Sequence, residues 1–206
     1  MLHFLYRSRV FHILILLSTL AGLTSCGGSS GGPVSAVPPN PPGELHFEVV
    51  DQGLLVSWKP VPGASKYSLF WGPEKYDFRR IVETSTPAVL IKGLENGTLN
   101  YFAATACSAH AESRFSSQEP YVYDTDPKNA PIHMQQALRL ENRGHLGEAL
   151  VYLSVAIKLD SENAYLYRKR AQLRELLGLT KEAKKDLDTA EKLYVKKPIS
   201  FKNSGG

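Results

Sequence analysis

Three hydrophobic rhythms run along this 206-residue chain. Val10 to Leu20 is an apolar run containing Phe11, Ile13, Leu14, Ile15, Leu16 and Leu17. Between residues 42 and 124 the apolar positions alternate with polar ones in short stretches, the period of half-buried strands. Leu45, Phe47 and Val49 form one such set, and Leu54, Val56 and Trp58 the next. Tyr67, Leu69 and Trp71 follow, then Ile81 and Val82, then Val89, Leu90 and Ile91. Phe102, Ala104 and Ala106 share a face, and Phe115 to Tyr123 predicts a closing edge strand. Pro60 to Gly63, Gly72-Pro73 and Glu95 to Thr98 supply the turns. Seven strands in about 80 residues predict a β-sandwich. From Ala130 onward the spacing becomes helical.

The first run is an address. As a helix its 11 residues cover about 16 Å, roughly half the hydrocarbon thickness of a bilayer. Arg7 and Arg9 precede it and small residues follow, which is the plan of a signal peptide and not of a stable span. Leu23-Thr24-Ser25-Cys26 resembles the lipobox of bacterial lipoproteins. The resemblance implies acylation of the Cys26 sulfur and cleavage before it, with ordinary secretion as the alternative. In enterobacterial lipoproteins an Asp after the Cys favours inner-membrane retention, so with Gly27 there the resemblance implies the outer membrane, with the protein facing the periplasm. Gly27 to Pro42 holds four Gly and five Pro in 16 residues, a tether unable to bury a core.

The middle segment resembles a fibronectin type III domain of the bacterial kind. The matching residues are Pro41-Pro42 with Leu45, Leu54-x-Val56-x-Trp58, Pro62-Gly63-Ala64-x-x-Tyr67-x-Leu69, and Leu94-x-Asn96-Gly97-Thr98. The resemblance implies that Trp58 packs between two sheets. The family's corner tyrosine falls at Asn100, with Tyr101 one place later. Either the corner bond is missing, or a one-residue shift brings Tyr101 into it and exchanges the two faces of the strand. Cys107 lies opposite Phe102 in the unshifted register. With Cys26 acylated it has no cysteine to pair with and reads as a small semi-buried apolar residue.

The helical segment contains a repeat. Ala130 and Ala164, Gly144 and Gly178, Ala149 and Ala183, Leu153 and Leu187, and Ala156 and Ala190 stand 34 residues apart. That period and its small positions resemble tetratricopeptide repeats, each a helix–turn–helix. The glycines end the first helix of each pair, and Thr180 is expected to cap the last helix. His133 departs from the Trp of the family pattern, and Gln136 and Arg170 stand where Leu is usual. Two copies bury little, so the pair is expected to lean on the sandwich, a second copy or a partner. The resemblance implies a ligand groove along the first helices, with Met134, Leu138, Arg168 and Gln172 as partner-binding residues.

The expected organisation is a signal peptide (1–25), a tether (26–41), an all-β immunoglobulin-like sandwich (42–124), a linker (125–129), an all-α pair of helical hairpins (130–197) and a disordered tail (198–206). The net charge of +4 divides unevenly. Residues 34–127 hold 7 basic and 11 acidic residues, whereas residues 128–206 hold 15 and 9. Arg168-Lys169-Arg170 and Lys181 with Lys184-Lys185 read as solvated faces, as contacts for an acidic peptide or protein, or as contacts for anionic lipid. No nucleic acid and no small-molecule substrate is expected outside the cytoplasm. No nucleophile, paired-carboxylate, phosphate-loop or metal-ligand pattern appears, so catalytic residues, metals and cofactors are expected to be none. A binding module anchored in the cell envelope is the favoured reading. Its rival is an assembly factor of an envelope machine such as a secretion or pilus system, and an enzyme ranks last.

Overall fold

The computed structural model describes residues 37–196. The signal, Cys26, most of the tether and the tail lie outside them. Seven strands come first: β1 (His46–Val50), β2 (Gly53–Ser57), β3 (Lys66–Gly72), β4 (Arg80–Thr84), β5 (Ala88–Ile91), β6 (Leu99–Cys107) and β7 (Glu119–Val122). Four helices follow: α1 (Ala130–Asn142), α2 (Leu146–Leu159), α3 (Ala164–Leu176) and α4 (Thr180–Lys196). The strands form two antiparallel sheets, ordered β1-β2-β5 and β4-β3-β6-β7. This sandwich has a fibronectin type III-like fold.

Alternation explains the packing. Leu54 and Val56 of β2 sit opposite Ile91 and Val89 of β5, and all four are buried. Leu69 pairs with Ala104 and Tyr67 with Ala106 across the second sheet. Their side chains meet the first sheet in one core with Trp58 and Phe102. Trp58 lies edge-on to Tyr67, with ring centroids 5.5 Å apart, as the resemblance implied. Its Nε1 is buried without a hydrogen-bond partner. Gly53 has φ +148, and a Cβ there would collide with the carbonyl of Ile91. Only glycine allows β2 to begin this close to β5.

The register at β6 is the unshifted one. Phe102, Ala104 and Ala106 face the core, so Tyr101 points away from it and the corner bond is absent. The closing strand is shorter than the alternation predicts, because only Glu119–Val122 pairs as a strand. Upstream of it, serines replace the ladder. Ser113 and Ser116 donate their backbone N–H groups to the carbonyls of Ala106 and Ala104, each at 2.8 Å. Their hydroxyls accept the N–H groups of the same two alanines. Cys107 is buried on the face opposite Phe102, and the described residues contain no free cysteine. That corrects the expectation of an unpartnered thiol.

The helices reproduce the period of 34, α1 and α3 starting 34 residues apart, as do α2 and α4. The small positions serve close helix approach: Ala137, Ala149, Ala156 and their equivalents Ala171, Ala183 and Ala190 are all buried. Gly144 and Gly178 have φ +80 and +76. Each closes a first helix through a paired bond pattern, Gly178 N–H to Glu175 and Leu179 N–H to Arg174 in the second copy. Thr180 is the first helical residue, not the cap. The Leu179 carbonyl accepts the first helical bond, from Ala183. No helix among the described residues is long and apolar enough to cross a membrane.

Candidate functional site

Met134 and Leu138 lie one turn apart on α1, both half-buried, with Met134 packed on the helical core. Arg168 and Gln172 are exposed on α3. The two pairs do not converge in one pocket. Arg168 lies over the ring of Tyr194 on α4, its guanidinium carbon 4.2 Å from the centroid. The residue that reaches α1 from α3 is Lys169, whose Nζ is 2.9 Å from Glu141. Glu141 follows Leu138 by one turn, so this bridge closes one end of a strip bearing Met134 and Leu138.

Within the basic run 168–170, Arg168 stays exposed, whereas Lys169 and Arg170 are drawn into ion pairs within the fold. Arg170 donates from Nε and Nη2 to both oxygens of Asp186 on α4, at 2.8 and 2.7 Å. Arg174, one turn later, adds a third bond to the same carboxylate at 2.6 Å. Asp186 is buried and both arginines are largely covered. The Arg170 fork and the single Arg174 bond together satisfy the carboxylate and offset the cost of burying its charge. Arg170 fills the position where an apolar residue was expected, and the ion network replaces an apolar contact between α3 and α4.

Sequence reasoning named the sandwich as one possible support for the helices, but missed the residues that form the joint. Asp124, just after β7, and His133 of α1 are 3% and 2% exposed, with Oδ2 and Nε2 2.7 Å apart. Burial alone would raise the Asp124 carboxyl. The Asp126 N–H, His133 and the Asn129 amide outweigh it and hold the group below its ordinary value. Tyr101 is the second bolt. Its hydroxyl donates to Glu148 of α2 at 2.8 Å, and burial, then that bond, pushes the phenol well above the usual range. Val122 and Leu99 of the sandwich belong to the helical hydrophobic cluster. The helical pair leans on the sandwich. A cavity of about 430 Å³ opens at this joint, lined by Asn96, Asp124, Asn129, His133, Gln136 and Tyr152 among others. A signal for these positions existed: Tyr101 and His133 are two of the departures from the family patterns. Among the described residues, no group of three or more His, Cys, Asp or Glu is placed to hold a metal ion.

No family model matches the chain, and no curated protein does. Several solved structures resemble it in part. An Fn3-like protein from Clostridium thermocellum matches 43% of this chain and 97% of its own length, with 19% identity and a TM-score of 0.39. The fn3 domain of human collagen alpha-1(XX) chain covers 48% of this chain and 95% of its own length, with 25% identity and a TM-score of 0.37. The 6th fibronectin type III domain of human fibronectin type III domain containing protein 3 covers 48% and 94%, with 21% identity and a TM-score of 0.38.

Proposed function

We propose that this chain is a lipid-anchored protein of the bacterial cell envelope that binds another protein non-covalently, with the sandwich as platform and the two hairpins as receptor. The signal plan, Leu23 to Cys26 and the Gly/Ser/Pro tether support the anchoring. The observation that carries the binding role is the α1–α3 strip, where Met134 and Leu138 offer apolar contact beside the Glu141–Lys169 bridge. An extended peptide with an apolar residue followed by a carboxylate matches it, the carboxylate exchanging for Glu141 on Lys169.

Capture from membranes tests this reading, with the wild-type chain and Lys169→Glu and Leu138→Asp variants. Salt-sensitive capture of one partner, lost in both variants at unchanged helical content, is the expected result. Capture indifferent to both substitutions refutes the strip. Anchoring has its own readout. The Cys26 sulfur can carry a lipid or a disulfide but not both, and Cys107 is the only other cysteine. Fatty-acid labelling that disappears in Cys26→Ser supports the anchor. A wild-type chain that never labels removes it.

A further inference from the structure

The 34-residue repeat also locates a face that nothing covers among the described residues. Leu153 of α2 is fully buried, yet its equivalent on α4, Leu187, is 42% exposed. The side of α2 that meets α3 carries Leu150, Ser154 and Ile157, and the Ser154 hydroxyl accepts a bond from Arg170. The equivalent α4 positions are Lys184, Asp188 and Glu191. A further hairpin stacking in the same way would need an apolar face there, and these charges deny it. Helical spacing gathers Thr180, Lys184, Leu187, Glu191 and Val195 into one stripe. Val195 is 76% exposed, and Lys184 and Glu191 are exposed too.

The charges on this stripe differ from the cations by which α3 meets its neighbours. Lys169, Arg170 and Arg174 all have ion-pair partners within the fold. Lys184 and Glu191 form no ion pair among the described residues. The one local option, Lys184 with Asp188 a turn later, runs cation-first, the weaker orientation on a helix. A cap needed only for solubility would require no particular order of signs.

The order here is self-complementary, and we infer that α4 packs antiparallel on α4 of a second copy about a two-fold axis. Such an interface uses the same patch on both subunits. With the axis between residues 187 and 188, Lys184 faces Glu191 of the partner subunit and Glu191 faces Lys184 of the partner subunit. Thr180 meets Val195 of the partner subunit at each end. In this register Leu187 stands opposite Asp188 of the partner subunit, and the two copies of Leu187 lie on either side of the axis, one residue step apart along the helix direction. The proposal is independent of the anchor and of the α1–α3 strip, which lies on other helices.

Sedimentation of the purified full chain in density-matched detergent tests it by charge reversal. The expected result is a monomer–dimer equilibrium that Lys184→Glu and Glu191→Lys each weaken about tenfold at low salt. The double variant, which rebuilds both pairs with signs exchanged, restores the equilibrium to within about threefold of wild type. Circular dichroism checks that all four proteins keep the same helical content. A chain monomeric at every concentration overturns the proposal, whether residues 197–206 or a different protein occupies the face. So does a dimer indifferent to the single reversals, or one that the double variant fails to rescue.

Discussion

The two hairpins share a period and their small residues, yet they hold together by different means. In α1–α2 the core is apolar: Ala137, Ala149, Leu153 and Ala156 pack with Val122 from the sandwich. In α3–α4 the alanines recur, but the space between them is bridged by Asp186 with Arg170 and Arg174. The difference follows from position. The inner hairpin is covered on two sides, by the sandwich and by α3, so apolar burial continues across its width. The outer one is covered on one side, and a carboxylate held by the Arg170 fork and one Arg174 bond joins α3 to α4 beside the buried Leu166 and Leu173. A repeat therefore sets where helices go, while neighbours decide what joins them.

The sharpest way to break this contrast is to truncate the same position in both copies. Leu153→Ala should cost about 2–5 kcal/mol, as buried leucine truncations do. Leu187→Ala should stay within about 0.5 kcal/mol in dilute protein, being a surface change. Urea unfolding midpoints check both, and equal losses would mean that the outer hairpin is covered after all. Next in size is Asp186→Ala, which leaves two largely covered arginines facing each other. A loss of about 3 kcal/mol is expected, at the low end for a broken buried pair because water reaches both guanidinium groups. Replacing all three residues with apolar ones should recover much of it.

The joint sets the next scale. Tyr101→Phe removes a bond to a charged acceptor and should cost about 1.5–3 kcal/mol, read as a lower thermal midpoint. Asp124 adds a pH dependence. Its carboxyl is held below the ordinary 3.8, so its contribution is complete above that value. It disappears as the pH falls below 3.8 through the folded-state value. Asp124→Asn should therefore lower stability at neutral pH and flatten its decline between about pH 5 and pH 2. A wild-type curve parallel to the variant's would show that the pair with His133 does not bind the two modules. The smallest effect belongs to Arg168→Ala, which loses only a cation over the exposed Tyr194 ring, about 0.5–1 kcal/mol by chemical denaturation.

Elements were far more legible than the contacts between them. Alternation at Leu54, Val56 and Trp58 identifies a strand and its inner face from a few residues. The pairs spaced by 34, from Ala130 to Ala190, place four helices. Those signals are local or strictly periodic. Asp124 with His133, Tyr101 with Glu148 and Arg170 with Asp186 are neither, because each depends on how one finished element docks on another. The departures from the family patterns at Tyr101, His133 and Arg170 marked the positions that needed a partner. Nothing in the periodicity names that partner, since a residue facing away from its own core can meet water or a neighbour equally well. The same ambiguity left the 168–170 run open between solvent and a partner, and kept Asp186 and Glu141 out of view. Arg168 and Lys169 occupy adjacent positions about 100° apart on the helix, and that rotation sends one to α4 and the other to α1.

The serines before β7 carry one more consequence. The edge of a sheet is a row of open N–H and C=O groups, and a regular outer strand invites another chain to add itself there, the first step of aggregation. Along the half of β6 nearer its end, Ser113 and Ser116 occupy those groups with a backbone donor and a hydroxyl acceptor each. The segment around them is irregular, so its outward side has no evenly spaced ladder to copy. The inner strand is fully bonded, and the template stops there. At high local concentration, that edge protects against sheet-to-sheet growth.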